Sequence, residues 1–272
     1  DGKVVVFSKE VKAPEVIGTR VGAETLAAMR AYSDKPRKIA ILNDTVATLL
    51  GGMATYPQGY STYVGYIYGT GTNACYMEDT ANITKVAGLD AGHMLINTEC
   101  GGFDKLARGD YDELAANETA RPEVQRLEKM TSGRYLADVI YHCLAGAANE
   151  GLFSGEFKPE RFELKDVSMF LGGEDLGGMF ASEADKTIAR DICAELVDRA
   201  AKIGAIMNSA MSIASCHDKT RPVVIVCEGT TFNKLSGYRA AFEKYLHEIL
   251  DEKGIRFEIL QGNELNLVGT LM

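Results

Sequence analysis

The sequence of 272 residues contains no apolar run that approaches the ~20 residues of a membrane-spanning helix. No apolar segment of the signal-peptide type opens it, so we expect a cytoplasmic protein without a membrane segment. Lysine and arginine form no clustered stripe, and the formal net charge is −9. Because nucleic-acid binding usually needs a basic surface, this balance argues against a nucleic-acid partner.

Residue spacings typical of metal sites are also missing. The four histidines are scattered without an H-E-x-x-H pair, and the six cysteines form no C-x-x-C pair. We therefore expect no structural zinc, and we interpret the cysteines as reduced thiols within apolar segments. No feature of the sequence indicates an oligomeric state.

The composition that remains is that of an ordinary globular protein, with 46% apolar and 25% charged residues. Apolar runs predict strands at 2–8, 38–43, on both sides of 69–73, at 93–99, at 222–227 and at 256–260. Helical spacing predicts helices at 23–32, from 44 onward and at 235–252, with a mostly helical stretch at about 103–215. This alternation predicts an α/β fold, and no linker divides residues 1–272, which we interpret as one domain.

The segment LNDT at 42–45 is the first that could carry chemistry, because a predicted strand ends in Asn43 and Asp44 before a helix. A carboxylate at the carboxyl edge of an α/β sheet points into the usual ligand crevice. Taken alone, the simpler explanation is that Asp44 or Thr45 caps the helix.

Three glycine-containing segments follow, namely GTGTN at 69–73, NTECGGF at 97–103 and CEGTTFNKL at 227–235. Glycines allow backbone N–H groups to approach phosphate oxygens, and a strand–Gly–helix unit suits an anion. A hairpin turn needs glycine in any case, and an isolated glutamate is more often solvated than functional. Each segment alone is therefore a weak signal.

Together and in this order, these segments resemble successive blocks of the hexokinase/glucokinase family of the actin-like ATPase superfamily. The blocks are ILNDTVATLLGG, VGYIYGTGTNACYMED, INTECGGFDK, LEKMTSGRYLADVI and VVIVCEGTTFNKL. The opening FSKEVKAPEVIGTRV is similar to the family's sugar-contacting segment, which places residues 1–37 near an inter-domain hinge. The resemblance implies a ribonuclease H-like core sheet with a largely helical insertion.

The resemblance also implies an activity, the ATP-dependent phosphorylation of the 6-hydroxyl of a hexose, with glucose as the family default. Asp44 would be the general base and Lys9 a cation near the transferred phosphoryl group. The implied hexose ligands are Ser8, Lys9, Asn43, Asp44, Asn73, Glu99 and Glu128. The implied nucleotide-binding residues are Gly69, Thr70, Gly71, Gly133, Arg134, Gly229 and Thr230.

ATP would bind together with Mg²⁺, and the sequence shows no set of protein side chains that would hold this ion by itself. A non-catalytic hexose sensor of the same fold is the alternative function, and another actin-like ATPase would not be expected to carry the hexose ligands.

Several positions depart from the family's pattern. Cys100 stands where the family has tryptophan, Arg134 replaces a lysine, and GNELNLVG at 262–269 replaces a Gly-Ser-Gly-x-Gly-Ala-Ala stretch. No Asp-x-Gly-Gly-Thr phosphate hairpin and no Ser-Phe-Pro sugar loop precedes Lys9. We therefore expect the chain to hold the larger part of the site, to bind hexose weakly and to turn over slowly when it is alone.

Overall fold

The computed structural model describes residues 1–7, 13–155, 160–262 and 264–271. They form two units, Asp1–Asn43 and Asp44–Met272. In the first unit, helix α1 spans Val21–Met29, and the Asp1 carboxylate accepts the N–H of Gly22 at 2.8 Å. The strands predicted at 2–8 and 38–43 are wrong for the described residues, where Lys3 and Arg20 form an isolated bridge. A strand needs a hydrogen-bonded neighbour along its length, whereas the pairing described here is short, since Gly2 and Val4 form backbone hydrogen bonds with residues 18–21.

The second unit is built on a five-stranded sheet of order β3-β2-β1-β4-β5. The strands are β1 (Thr62–Tyr68), β2 (Thr72–Asp79), β3 (His93–Asn97), β4 (Val223–Glu228) and β5 (Phe257–Gln261). Strand β2 runs antiparallel to β1 and β3, whereas β4 runs parallel to β1 and β5. The ends of β1, β3 and β4 and the start of β2 therefore lie at one edge of the sheet. This edge carries the three glycine-containing segments singled out in the sequence.

Helices cover both faces of the sheet, as a buried α/β sheet requires. One face packs on α2 (Asp44–Thr55) and α10 (Leu265–Thr270), around Leu49, Val226 and Leu265. Two glycines allow this packing to be close. A Cβ at Gly51 would lie 2.0 Å from the Leu265 carbonyl oxygen, and one at Gly52 would lie 2.3 Å from the Val226 side chain.

The opposite face carries the larger core, formed mainly by helices of the insertion between β3 and β4. These are α3 (Asp110–Asn117), α4 (Arg126–Thr131), α5 (Leu136–Asn149), α6 (Leu164–Leu171) and α7 (Glu183–Ser215). Helices α8 (Thr230–Lys234) and α9 (Tyr238–Leu250) follow β4. The predicted helical insertion is therefore observed within the described residues.

An aromatic stack fixes the end of β1, where the glycine turn begins. The rings of Tyr68 and Tyr238 are stacked with centroids 4.1 Å apart, and the hydroxyls of Tyr66 and Tyr238 are 2.8 Å apart. Tyr68 donates its hydroxyl to the Thr131 carbonyl oxygen at 2.6 Å. This buried bond ties β1 to the end of α4, so that residues 69–71 lie beside residues 132–134.

None of the helices in the described parts of the chain is both long and apolar enough to cross a membrane. All six cysteines are free thiols. Burial raises the pKa of Cys75 to about 12 and that of Cys100 to about 11, so both thiols beside the glycine turn and Glu99 are neutral at physiological pH.

Candidate active site

Asp44 is the first residue of α2 and is exposed. Its Oδ1 accepts the N–H of the next residue, Thr45, at 2.9 Å, whereas a capping side chain accepts from the N–H of the second or third residue of the helix. Thr45 is buried beneath it and reaches toward the neighbouring strand, since the Asn73 amide nitrogen lies 3.4 Å from its hydroxyl. The start of α2 is thereby connected to the start of β2.

A chain of amide and carboxylate groups continues from Asn73. Its Nδ2 donates to Oδ1 of Asn97 at 2.8 Å, and Asn97 Nδ2 donates to Oε1 of Glu99 at 2.8 Å. Glu99 has a left-handed backbone with φ of 49°, which is uncommon for a residue other than glycine. Asp44, Asn73 and Glu99 are thus brought together through Thr45 and Asn97.

Glu128, on α4, contacts the start of β2 beside Asn73. Its side chain is 4% exposed, and Oε2 accepts the N–H of Thr72 at 3.0 Å, one residue before Asn73. The residue before α4 is Gln125, also left-handed at φ 53°. A Cβ at Gly101 would lie 2.7 Å from Gln125 Oε1 and 3.1 Å from Glu128 Cβ. Gly101 therefore allows the Glu99 and Glu128 segments to approach closely.

Three glycines from distant segments converge on the other side of the turn. The N–H of Gly133 donates to the Gly69 carbonyl at 2.9 Å, and a Cβ at Gly133 would lie 2.6 Å from that oxygen. Gly229 has φ of +124°, and a Cβ there would lie 2.3 Å from the Tyr68 carbonyl oxygen. Larger residues at either position would force these backbone segments apart.

A cleft of about 620 Å³ opens beside these glycines. Four predicted nucleotide-binding residues line it, namely Thr70, Gly133, Arg134 and Thr230. Arg134 lies at its rim with Nη1 3.4 Å from Asp138 Oδ2. The volume is within the range of small-molecule pockets, ~300–1,000 Å³.

Other residues of this cleft were not predicted. Helix α6 and the segment before it supply Phe162, Glu163, Leu164, Lys165 and Ser168, and the rest of the lining is Ala137, Asp138, Thr231, Lys234 and Leu235. No sequence motif identifies α6 as part of this cleft, because its position beside the cleft results from tertiary packing. The lining includes three cations, Arg134, Lys165 and Lys234, and two carboxylates, Asp138 and Glu163. The cleft is therefore locally more cationic than a chain of net charge −9.

Three predicted hexose ligands remain. Asn43 belongs to the first unit and precedes Asp44 in the chain, whereas Ser8 and Lys9 lie outside the described residues. Among the residues that the structure describes, no group of three or more His, Cys, Asp or Glu side chains is arranged to hold a metal ion. A magnesium ion at this cleft would therefore have to be held largely by the phosphates it accompanies. The cationic side chains of the lining, Arg134, Lys165 and Lys234, suit a phosphate group.

The family model described as hexokinase matches residues 63–271. The chain belongs to the hexokinase family.

Curated hexokinases match over most of this chain but extend well beyond it. Rat hexokinase-1 is 31% identical over 281 residues, which cover 93% of this chain and 30% of the rat protein. Hexokinase from Brugia malayi is 28% identical over 258 residues, which cover 84% of this chain and 44% of that protein. The chain thus spans less than half the length of these two hexokinases.

Solved hexokinases share the fold. The Schistosoma mansoni hexokinase, solved in complex with glucose, superposes with a TM-score of 0.79 at 23% identity over 99% of this chain and 66% of that chain. Another solved hexokinase gives a TM-score of 0.76 at 24% identity over 97% of this chain and 61% of that one. The predicted α/β fold with a ribonuclease H-like core and a helical insertion is confirmed.

Proposed function

We propose that this chain carries the hexose-binding and nucleotide-binding residues of an ATP-dependent hexokinase that phosphorylates the 6-hydroxyl of a hexose, with Asp44 as the general base. One observation supports this most strongly. The predicted hexose ligands Asn73 and Glu128 and the nucleotide cleft lie on the two sides of the same glycine turn. Thr70 and Asn73 are three residues apart, which limits their separation to about 11 Å.

The chemistry of the hexose cluster suits a polyol. Each sugar hydroxyl both donates and accepts, and the amide of Asn73 with the carboxylates of Glu99 and Glu128 offers both kinds of partner. Asp44, exposed at the start of α2, would accept the proton of the attacking hydroxyl. The sugar hydroxyl oxygen would then form the new bond to the γ-phosphorus as the bond from that phosphorus to the β–γ bridging oxygen breaks, and ADP would leave.

The nucleotide cleft would bind the donor through residues of three segments. Thr70, Gly133 and Thr230 line the cleft and would approach the phosphates, and Arg134 would contribute charge at the rim. ATP with Mg²⁺, when bound, supplies the phosphoryl group and neutralises its charge. The protein's own contribution is to hold the hydroxyl and the phosphate in line.

The experiment compares Asp44→Asn with Asp110→Asn in a coupled assay of glucose phosphorylation. Asp110 is a matched control, because it is also an exposed first residue of a helix. We expect the wild-type chain to turn over slowly and Asp44→Asn to lower kcat by about 10² to 10⁴. Its glucose Kd, measured by calorimetry, should stay within a few-fold, and Asp110→Asn should match the wild type.

Other results would contradict the proposal. Equal kcat in Asp44→Asn and in the wild type would remove Asp44 from catalysis. Glucose binding without turnover, unchanged in Asp44→Asn, would instead indicate a hexose sensor. No binding of any hexose by the wild-type chain would overturn the proposed function altogether.

A further inference from the structure

Asn97 joins two of the predicted hexose ligands. It is half-buried at the end of β3 and makes one hydrogen bond with each end of its amide, to Asn73 on β2 and to Glu99 beyond β3. Both bonds are 2.8 Å long, a normal length for a well-formed hydrogen bond. Asn97 is therefore in a position to orient both side chains at once.

The direction of this chain of bonds is fixed at its two ends. At one end, the backbone N–H of Ala74 can only donate, and it donates to Oδ1 of Asn73 at 2.8 Å. At the other end, the Glu99 carboxylate offers oxygen acceptors, and its Oε1 accepts from Asn97 Nδ2. Asn73 must therefore donate through Nδ2, and Asn97 must accept from Asn73 and donate to Glu99. Neither amide can be flipped without losing bonds.

The backbone at Glu99 is a second, independent observation. Its left-handed φ of 49° is held in the two-residue connection between β3 and the 3₁₀ turn Cys100–Gly102, whose Gly102 N–H donates to the Glu99 carbonyl at 3.0 Å. Such a conformation is unfavourable for a residue other than glycine and persists where its surroundings enforce it. The Asn97 bond reaches the carboxylate of this residue and limits where it can point.

We propose that Asn97 is a positioning residue of the hexose site, which fixes the amide of Asn73 and the carboxylate of Glu99 in the orientation that binds the sugar hydroxyls. This rests on the proposed function. Asn97 acts through its two neighbours, and the amide group alone meets both needs, since it accepts at one atom and donates at the other. Aspartate has the same shape but, when ionised, cannot donate to Glu99.

This difference makes Asn97→Asp the informative variant. At pH 8 the carboxylate of the introduced residue would face Glu99 as a like charge, and the glucose Kd should rise by about tenfold or more. At pH 5.5 one proton should be shared between the two facing carboxylates for more of the time than at pH 8, because neighbouring like charges favour the neutral form of one of them. The proton restores a donor toward Glu99, so the ratio of variant Kd to wild-type Kd should fall to within about threefold.

Comparison variants separate this effect from others. Asn97→Ala removes both bonds and should weaken glucose binding about equally at both pH values. Asn82→Asp is the matched control, since Asn82 also donates to a glutamate, Glu78, at 2.8 Å but at the opposite edge of the sheet. It should bind glucose like the wild type at both pH values. The ratio to wild type is used because three other carboxylates of this region, Asp44, Glu99 and Glu128, are present in every protein, whereas the Cys75 thiol opposite Asn97 is neutral.

The orientation itself can be measured without sugar. The side-chain amide of Asn73 should give two separate, exchange-protected NMR signals in the wild type, assigned through an Asn73→Ala variant. Asn97→Ala should bring these signals close to those of a free amide. Retained signals, or glucose binding by Asn97→Ala equal to that of a wild type that binds hexose, would overturn the role of Asn97 alone. Failure of the wild type to bind any hexose would overturn the proposed function instead, and with it this inference.

Discussion

Gly101 and Gly102 are consecutive residues beside the predicted hexose ligands, yet they differ in the space around them. A Cβ at Gly101 would lie 2.7 Å from Gln125 Oε1 and 3.1 Å from both Glu128 Cβ and the Thr72 carbonyl oxygen. At Gly102 a Cβ would meet nothing within 4 Å, and the backbone there is not left-handed.

This contrast gives a paired prediction. Gly101→Ala should lower the free energy of unfolding by about 1–3 kcal/mol, because the added methyl group meets backbone and buried side chains that cannot all move. It should also weaken glucose binding, since Glu128 would shift. Gly102→Ala should be neutral or stabilise by about 0.4–1 kcal/mol through the unfolded chain. Urea unfolding and glucose calorimetry of the two variants test this, and equal effects would contradict it.

Individual residues also show what sequence reasoning can reach at the site. Asn73, Glu99 and Glu128 were predicted as hexose ligands from the resemblance, and their segments do meet at one edge of the sheet. Asn97 was not singled out, because nothing in a sequence reveals which side chain bridges two others across neighbouring strands. Ser8 and Lys9 lie outside the described residues, so their roles stay predictions.

Among the elements, α2 and α10 have the closest backbone approach around the site. A Cβ at Gly269 on α10 would lie 1.9 Å from the Ala47 carbonyl oxygen and 2.7 Å from the Gly51 nitrogen, both on α2. The N–H of Asn266 on α10 also lies 3.3 Å from Oε2 of Glu228, which accepts the Thr48 hydroxyl of α2 at 2.7 Å. Helix α10 therefore supports the helix that begins with Asp44.

Gly269→Ala should dislodge α10, because backbone atoms of α2 occupy the space of the new methyl group. We expect a loss of about 1–3 kcal/mol in the free energy of unfolding and faster proteolysis within residues 264–271. Leu267→Ala is the control on the same helix, since Leu267 is 54% exposed and its truncation should cost less than about 0.5 kcal/mol. A Gly269→Ala protein with wild-type stability and protease resistance would show that α10 does not need this close packing.

The elements also show why the sequence predicted some strands correctly and others wrongly. Strands β1 to β5 pair with one another inside one unit, so their apolar runs and the glycine turn were sufficient. The runs at 2–8 and 38–43 have the same character but no strand partner among the described residues of their unit. Apolar, β-branched composition indicates that a segment suits a sheet, whereas the sheet itself depends on neighbours that the segment does not encode. For the same reason the sequence did not predict that α6 lines the cleft beside the glycine turn.

At the scale of the whole molecule, buried thiols make stability depend on alkaline pH. Burial raises the pKa of Cys75 and Cys193 to about 12, and that of Cys100 and Cys143 to about 11. Thiols of the unfolded chain ionise near pH 8.5. Above that pH the folded protein therefore binds more protons than the unfolded chain, so the free energy of unfolding falls as the pH rises toward 11–12. Below about pH 8 this contribution is fully present.

Cys193→Ala should reveal one part of this dependence. Cys193 is fully buried on α7, so the variant should be less stable than the wild type at pH 7.5 because of the cavity. Between pH 7.5 and pH 10 it should lose about 1–2 kcal/mol less than the wild type, because one titrating group is gone. Val197→Ala, one turn further along α7 and 2% exposed, is the control that makes a cavity without removing a thiol. It should follow the wild-type pH dependence in urea unfolding, and a Cys193→Ala curve parallel to both would show that the buried thiol does not contribute to alkaline unfolding.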